Sequence, residues 1–196
     1  TGVPKVFYGG QGGLGDVVPH PNFKQNKFIY ISYISSDTAG DTRYATVVRA
    51  ELNIENSPKL ENITTVWNQT PARPGKGHFS HKITLGQQGS KHDGKIFITS
   101  GDRQEQAPAQ HWDKALGKII RLNDDGSVPV DNPFQDKGEL AKTFWSIGHR
   151  NSLGIAFNQN GELWAHEMGP KHGDELNLIL PGANYGWPIV SEGNHY

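Results

Sequence analysis

The sequence predicts an all-β protein, on three observations. No window of about a dozen residues keeps the 3.6-residue apolar spacing of an amphipathic helix. Glycine and proline are frequent, with 24 and 12 copies in 196 residues, which is typical of a chain with many tight turns. Short runs of β-branched and aromatic residues recur between these turns, as they do in antiparallel sheets. The chain is therefore expected to consist of short strands joined by turns and loops.

One strand-like segment occurs three times at a constant interval. The copies are residues 27–33, 94–100 and 161–167, so the repeat is 67 residues long. Other strand-like runs precede each copy and follow the first two, at residues 16–18, 82–85, 154–157, 45–52 and 117–122. The turn at residues 123–126 is expected to close a hairpin. Each repeat therefore has the pattern of an antiparallel unit of three or four strands.

Repeated units of this kind indicate a β-propeller, in which the sheets are arranged radially around an axis. The alternative is a β-sandwich, but sandwiches carry turns about every 8–12 residues without a long repeat. A 67-residue period is long for one blade and leaves room for long loops, where functional residues are expected. We therefore predict a β-propeller with about three blades in this chain.

Composition and charge exclude several classes of partner. Nineteen Lys and Arg against twenty Asp and Glu give a formal charge of −1, so no basic surface is expected to bind nucleic acid. The longest apolar runs, such as residues 28–31 and 153–157, are far too short to span a membrane. Cysteine is absent, which excludes disulfides, thiolate catalysis and cysteine-bound zinc.

A glycine-rich segment, residues 9–16, contains the first candidate functional residue. The segment lacks the spacing of a phosphate-binding P-loop, and no helix is predicted after it. Its backbone is expected to pass close to a bulky group, because glycine permits such an approach. Gln11 is the side chain able to reach that group.

A second segment combines His78 with an acidic residue one strand later, Asp102. A histidine oriented by a buried carboxylate is a common pair for removing a hydroxyl proton. A purely structural turn is the alternative for Asp102. Ser80 lacks the Gly-x-Ser-x-Gly pattern of a nucleophile elbow, which excludes a serine hydrolase of that type.

The densest polar segments lie at residues 148–152, 166–175 and 182–188. Their histidines and carboxylates lack the His-Glu-x-x-His spacing of a zinc-binding helix, and glycine and proline interrupt the run. Oxygen donors on irregular backbone suit calcium better, because Ca²⁺ accepts carbonyl and carboxylate ligands in flexible geometry.

Taken in order, these motifs resemble the soluble aldose sugar dehydrogenases that depend on pyrroloquinoline quinone (PQQ), in the glucose/sorbosone dehydrogenase family. The resemblance covers nearly the whole chain and implies a six-bladed β-propeller. The matching segments are residues 11–14, 77–79, 99–104, 117–122, 148–151, 167–170, 173–179 and 184–188.

The resemblance implies roles for individual residues. His78 matches the general base that takes a proton from the anomeric hydroxyl, while hydride passes to PQQ. Asp102 matches the carboxylate that orients this base. Gln11 matches a side chain beside the quinone and the sugar, and Arg150 and Asn151 match a pair that contacts PQQ oxygens.

The resemblance also implies calcium sites and a sugar contact. Gly169 and Pro170 match positions whose carbonyls hold the Ca²⁺ that also binds PQQ, while Glu175 and Tyr185 match a second, structural Ca²⁺ site. Gln110 is the nearest counterpart of a glutamine that binds sugar in some relatives.

Three residues depart from the family pattern. Ser152 stands where proline is usual after Arg-Asn, and His81 and Lys82 stand where Gly-Arg is usual after the base. Lysine lacks the planar fork of arginine, so the support of His78 is expected to differ here. These departures bear on substrate preference and activity more than on fold.

The expected function is therefore oxidation of an aldose at C1 to its lactone, with PQQ and Ca²⁺ as cofactors. Partners would be a sugar and an electron acceptor such as a dye, a quinone or a cytochrome, and the location would be periplasmic or secreted. The alternatives are a non-catalytic extracellular propeller that binds proteins and a calcium-dependent lactonase.

Length limits how much of such a ring the chain provides. Six blades at the observed period need about 400 residues. We therefore expect residues 1–196 to form a single partial propeller domain, the N-terminal half of the ring. This piece alone is expected to bind PQQ negligibly and to be inactive.

Overall fold

The computed structural model describes residues 1–55 and 57–194, and its regular structure is almost entirely β. One four-residue helix, α1 (Phe23–Asn26), and two short 3₁₀ turns, Ala107–Gln110 and Ala141–Thr143, interrupt the strands. The strands are β1 (Leu14–Pro19), β2 (Phe28–Ser36), β3 (Arg43–Asn53), β4 (Lys59–Asn68), β5 (Ser80–Leu85), β6 (Lys95–Ser100), β7 (Lys118–Asn123), β8 (Phe144–Ile147), β9 (Ser152–Phe157), β10 (Leu163–Glu167) and β11 (Glu175–Leu178). The all-β prediction is confirmed.

The strands form three successive antiparallel sheets in sequence order. The sheets are β1-β2-β3-β4, β5-β6-β7-β8 and β9-β10-β11. The first strands of the sheets lie side by side, since β1 packs against β5 and β5 packs against β9. This arrangement of blades around their first strands confirms the predicted β-propeller, of which the chain contributes about three blades.

The 67-residue repeat places the same strand in each sheet. The three copies found in the sequence fall on β2, β6 and β10, the second strand of each blade. Tyr30 and Phe97, which are one repeat apart, both face the following sheet. Ile98 and Ala165, also one repeat apart, both face the preceding sheet. The repeat therefore fixes which neighbour each side chain packs against.

The middle sheet is buried on both faces. Ile96 and Ile98 on β6 join the core shared with the first sheet, whereas Phe97 joins the core shared with the third. Because both faces are covered, this strand shows a continuous apolar run and not an alternation with polar residues. Phe97 also meets the edges of Trp145 and Phe157, with ring centroids 5.5 and 5.4 Å apart.

Equivalent positions on neighbouring first strands are joined by hydrogen bonds. The Lys82 ammonium donates to the Gly15 carbonyl at 3.1 Å, and the Ile83 amide donates to Asp16 Oδ2 at 3.1 Å. In both pairs the partners are 67 residues apart, which is one repeat. The blades are thus aligned with each other by polar contacts as well as by packing.

One detail of the prediction was wrong. The turn at residues 123–126 is present, with the Asn123 amide bonded to the Ser127 carbonyl at 2.9 Å. It does not close a simple hairpin, however, because β8 begins only at Phe144. The intervening loop packs Phe134 and Ala141 into the core and so has a structural reason for its length.

Within the part of the chain that the structure describes, we find no helix with the length and apolar character needed to cross a membrane.

Ile98→Ala should destabilise this chain strongly, because Ile98 is fully buried between the first two sheets. We expect a loss of about 2–5 kcal/mol in the free energy of unfolding, measured by urea denaturation. Ile189→Ala is the control, since Ile189 is 77% exposed, and should change it by less than about 0.5 kcal/mol. Equal effects of the two changes would contradict the packing described here.

Candidate active site

Loops at one end of the three sheets enclose a cavity of about 240 Å³. The segments that reach it precede β5, follow β6, connect β8 to β9, and follow β10 and β11. The lining residues are His78, Asp102, Gln104, Gln106, Arg150, Pro170 and Trp187. The structure thus brings together predicted residues that are far apart in sequence.

The buried pair of His78 and Asp102 forms one wall of this cavity. His78 Nδ1 lies 2.7 Å from Asp102 Oδ1, and both side chains are nearly inaccessible to solvent. An ionised carboxylate can only accept hydrogen bonds, so Nδ1 carries the proton. This leaves Nε2 as the basic nitrogen of the neutral ring.

Asp102 receives two further donors. Trp187 Nε1 donates to Oδ2 at 2.8 Å, and the Gln104 amide donates to Oδ1 at 2.8 Å. The Asp102 amide itself donates to the Arg150 carbonyl at 2.8 Å. A fully buried carboxylate is costly unless it is hydrogen-bonded, and here it is bonded by donors from three segments of chain.

The backbone that carries His78 is strained. His78, Ser80 and His81 have φ values of 47°, 57° and 53°, in the left-handed region that non-glycine residues avoid. Each such residue costs about 1–3 kcal/mol and persists only where its surroundings hold it. Gln11 is one of the groups that hold it, because its Oε1 accepts the His78 amide at 2.7 Å, again across one repeat of 67 residues.

A glycine lets the end of β6 approach this strained segment. A Cβ atom at Gly101 would overlap the His78 carbonyl. Since the residue next to it is Asp102, this close approach brings the carboxylate within reach of the His78 ring. A larger residue at position 101 would push the two partners apart.

Arg150 and Asn151 lie on the loop between β8 and β9, where Glu167 fixes their backbone. Glu167 Oε2 accepts the Arg150 amide at 2.7 Å and the Asn151 amide at 3.2 Å. The Arg150 guanidinium lines the cavity and donates to the Met168 carbonyl at 2.9 Å. Asn151 does not line the cavity, and its Oδ1 accepts the Ser80 hydroxyl at 3.0 Å.

Glu167 is a buried anion. Burial alone would raise the pKa of this carboxyl, but the adjacent His149 ring and the hydrogen bonds from His149 and the two backbone amides hold it below its usual value. His149 Nδ1 lies 3.1 Å from Glu167 Oε1, and its ring stacks on Tyr185 with centroids 4.6 Å apart. Glu167 is therefore charged at neutral pH and ties β10 to the loop before β9.

The four predicted metal residues surround a second, much smaller cavity of about 10 Å³. Gly169, Pro170, Glu175 and Tyr185 all line it, and it shares Arg150, Pro170 and Trp187 with the larger cavity. A space of this size holds one water molecule or one ion.

Oxygen donors are available around this small cavity. Among the described residues, no backbone amide donates to the Gly169 or Pro170 carbonyl. Glu175 adds a carboxylate, one oxygen of which accepts the Asn177 amide group at 2.8 Å. The Tyr185 hydroxyl is engaged elsewhere, since it donates to the Leu178 carbonyl at 2.6 Å and accepts the Leu180 amide at 2.9 Å. Carbonyl and carboxylate oxygens around a single-ion space fit Ca²⁺.

Gln110 lies outside the larger cavity. Its amide exchanges hydrogen bonds with Asn184 at 3.0 and 2.7 Å and also donates to the Trp187 carbonyl at 2.6 Å. The fully buried Lys118 ammonium holds the preceding 3₁₀ turn by donating to the Pro108 and Ala109 carbonyls at 2.8 and 3.0 Å. In this structure Gln110 therefore supports Trp187 and Asn184 by hydrogen bonds and does not face the larger cavity.

Sequence reasoning assigned no role to several residues that the structure places at the site. Gln106 lines the cavity with a φ of 63°, and Trp187 and Glu167 make the contacts described above. Glu167 carried a detectable signal, because a carboxylate at the end of a buried strand must find donors there. The contact of Trp187 with Asp102, across 85 residues, had no such signal.

The residues that depart from the family pattern have local partners. His81 Nδ1 lies 2.9 Å from the Ser32 hydroxyl, and Lys82 makes the bond to Gly15 already described. Ser152 begins β9, and its carbonyl accepts the Thr99 hydroxyl at 3.1 Å. Lys82 is thus directed toward the first sheet and away from His78.

Comparisons with known proteins agree on one family. The family model described as Glucose / Sorbosone dehydrogenase matches residues 1–196. The chain is 38% identical over 199 residues to aldose sugar dehydrogenase YliI of Escherichia coli (strain K12), covering 100% of this chain and 51% of that protein. It is 33% identical over 204 residues to quinoprotein glucose dehydrogenase B of Acinetobacter calcoaceticus, covering 93% and 41%.

A solved structure agrees with these matches. The PQQ-bound form of aldose sugar dehydrogenase from Streptomyces coelicolor superimposes with a TM-score of 0.82 at 29% identity, covering 96% of this chain and 52% of that one. The chain spans about half the length of the curated relatives it matches.

His81→Gln should reduce the acid sensitivity of the fold. Burial, with a smaller contribution from the charge of Lys82, lowers the pKa of His81 to about 4, whereas an unfolded histidine titrates near 6.5. The unfolded state therefore binds the extra proton between these values, and the stabilisation is lost as pH falls from about 6.5 to 4. Between pH 6.5 and 4, the free energy of unfolding of the variant should therefore fall by up to about 3 kcal/mol less than that of the parent chain. Urea denaturation at each pH measures this difference.

The control for this experiment is His111→Gln, because His111 is exposed. It should keep the pH dependence of the parent chain. If His81→Gln keeps the parent pH dependence as well, His81 is not the buried neutral histidine described here.

Proposed function

Because the chain belongs to the glucose/sorbosone dehydrogenase family, we propose that the full-length protein is a PQQ- and Ca²⁺-dependent enzyme that oxidises aldose sugars at C1 to lactones. The observation that carries the proposal is the buried hydrogen bond between His78 and Asp102 at the wall of a cavity that also contains Arg150. Another buried pair of this type, His149 and Glu167, does not line the larger cavity, so the position of His78 and Asp102 at its wall is what supports a role in proton transfer.

In this proposal His78 is the general base. Its Nε2 takes the proton of the C1 hydroxyl, because Nδ1 is held in the protonated form by Asp102. Asp102 stabilises the imidazolium that results, without itself taking the proton. Trp187 and the Gln104 amide keep the carboxylate oriented during this transfer.

The residues around the cavity suit a planar, anionic quinone. PQQ, when bound, supplies the oxidant that accepts the hydride equivalent from C1. Arg150 provides the positive charge, held by the Met168 carbonyl and by the backbone bonds to Glu167. Asn151, bonded to Ser80, is the second proposed contact of the quinone oxygens.

Sugar binding is proposed for the glutamines around His78. Gln104 and Gln106 line the cavity and offer both donors and acceptors, which suits hydroxyl groups. Gln11 lies beside the sugar in this proposal while its Oε1 holds the His78 amide. The proposed contact of Gln110 with sugar would require its amide to leave Asn184.

Calcium is proposed in the small cavity beside Arg150. The Gly169 and Pro170 carbonyls would hold one Ca²⁺, which would supply Lewis-acid polarisation to a neighbouring quinone oxygen. Glu175 and the Tyr185 position are proposed for a second, structural Ca²⁺, to which Glu175 would supply the negative charge. Because the small cavity has room for one ion, this second ion would lie outside it. Gly169 and Pro170 lie on the loop between β10 and β11, whereas Glu175 begins β11 and Tyr185 follows it.

The remaining parts of the proposal concern the whole protein. Residues 1–196 are proposed to form a single partial propeller domain within a six-bladed ring. The electron acceptor is proposed to be a quinone or a cytochrome, which a dye can replace in an assay, and the location is proposed to be periplasmic or secreted. The matches to sugar dehydrogenases support this reading over a lactonase.

His78→Asn should abolish most of the activity. Loss of the base is expected to lower kcat with an aldose by about 10²- to 10⁴-fold, measured by dye reduction with full-length protein, PQQ and Ca²⁺. The matched control is His111→Asn, because that exposed ring lies outside the cavity. An unchanged kcat in His78→Asn would refute the assigned base, and the absence of turnover with any aldose would refute the enzyme.

Glu175→Gln should weaken calcium binding by at least about tenfold, because one carboxylate charge is lost beside the small cavity. Isothermal titration calorimetry with Ca²⁺ on full-length protein stripped by a chelator measures this directly. Glu139→Gln is the control, since that side chain is 90% exposed and pairs only with Lys142 among the described residues. Equal calcium affinity in both variants would contradict the proposed site.

A further inference from the structure

We propose that Arg103, which no part of the sequence analysis singled out as a site residue, is the positioning residue that fixes the direction of the His78 ring. The inference rests on the proposed role of His78 as the base. It concerns how residues 75–79, which include the strained His78, are held against the end of β6.

The Arg103 side chain contacts the residues that precede and follow His78 in the chain. Its Nε donates to the Gly77 carbonyl at 2.9 Å, and one terminal nitrogen, Nη2, donates to the Gly75 carbonyl. On the other side of His78, the guanidinium lies over the Phe79 ring, 3.7 Å from its centroid. His78 is thus flanked on each side by a residue in contact with one buried cation.

The backbone of Arg103 adds a contact to His78 itself. The Arg103 amide donates to the His78 carbonyl at 3.3 Å, while the preceding residue, Asp102, binds the ring. Two successive residues therefore hold the two parts of the base: Asp102 holds the imidazole, and Arg103 holds the peptide units around it. Because His78 has a left-handed φ, its ring direction depends on those peptide units.

The chemistry of arginine fits this task. Nη1 donates to the Arg43 carbonyl at 2.8 Å, so the guanidinium connects two carbonyls of the loop before β5 with one at the start of β3. A planar fork can serve several carbonyls and an aromatic face at once, which a lysine ammonium cannot. Burial lowers the pKa of Arg103 to about 10, which still leaves the group charged at neutral pH.

A merely structural arginine offers a direct contrast. Arg121 is also buried and also has an aromatic partner, with its guanidinium 4.9 Å from the Trp145 centroid. It binds Asp131 through both terminal nitrogens, at 2.9 and 3.1 Å, and does not line the cavity that contains His78. Arg121→Lys is therefore the matched control for Arg103→Lys.

The test compares the two lysine variants in the full-length protein. The first readout is the NMR signal of the His78 ring nitrogens across a pH titration, without PQQ or sugar. The second is kcat and KM for an aldose with PQQ and Ca²⁺. We expect Arg103→Lys to shift the His78 titration and to lower kcat by about 10- to 100-fold with KM nearly unchanged. Arg121→Lys should leave both readouts as in the parent protein.

Two results would overturn the proposal: a parent-like His78 titration in Arg103→Lys, or equal changes in Arg121→Lys. If Arg103→Lys does not fold, Phe79→Leu replaces it, because this change removes the aromatic face under the guanidinium while keeping an apolar side chain in the core, and it is expected to shift the same titration. The NMR readout needs no turnover. A parent protein that oxidises no aldose would therefore refute the proposed function, while the titration would still decide the role of Arg103.

Discussion

The buried carboxylate of Asp102 is the constraint on which the rest of the site depends. A fully buried anion must find hydrogen-bond donors inside the protein, and these come from His78, the Gln104 amide and Trp187. The loop before β5, the end of β6 and the segment after β11 are thereby drawn to one point. The Asp102 amide also donates to the Arg150 carbonyl. Asp102 therefore fixes the position of Arg150, a proposed quinone contact, relative to His78, the proposed base.

Rigidity around this carboxylate comes from the sheets. The middle blade is packed on both faces, and the first strands β1, β5 and β9 lie side by side, so the loops start from fixed strand ends. This support allows the strained backbone at His78 to persist. Buried titratable side chains accordingly lie at or just beyond strand ends: Lys118 begins β7, Glu167 ends β10 and Arg103 follows β6. Each bonds carbonyls or amides that the strand ladders leave unpaired.

Much of the fold could be predicted from the sequence, because packing between equivalent blades imposes a 67-residue period on residues 27–33, 94–100 and 161–167. The outer strands β4, β8 and β11 were not predicted. β4 lies at a sheet edge with residues 62–65 exposed, so it lacks an apolar alternation, and β8 and β11 are only four residues long. At the site, residue types and the order of the motifs were enough to predict that His78, Asp102 and Arg150 belong to one site. The contact between Trp187 and Asp102 could not be predicted, because it joins residues 85 apart that only the folded chain brings together, and no local sequence pattern marks it.

The hydrogen bond between Gln11 and His78 joins two equivalent positions of successive repeats, 67 residues apart. The same position of the repeat is therefore occupied by two different side chains. In the first blade it is the Gln11 amide, which accepts a backbone hydrogen bond from His78, and in the second it is the His78 imidazole, the proposed base. The proposed difference in function between the two blades therefore falls on one equivalent position of the repeat. Because only His78 of the two has a left-handed φ, the two side chains are not interchangeable: the support at position 11 is what allows the strained backbone at position 78.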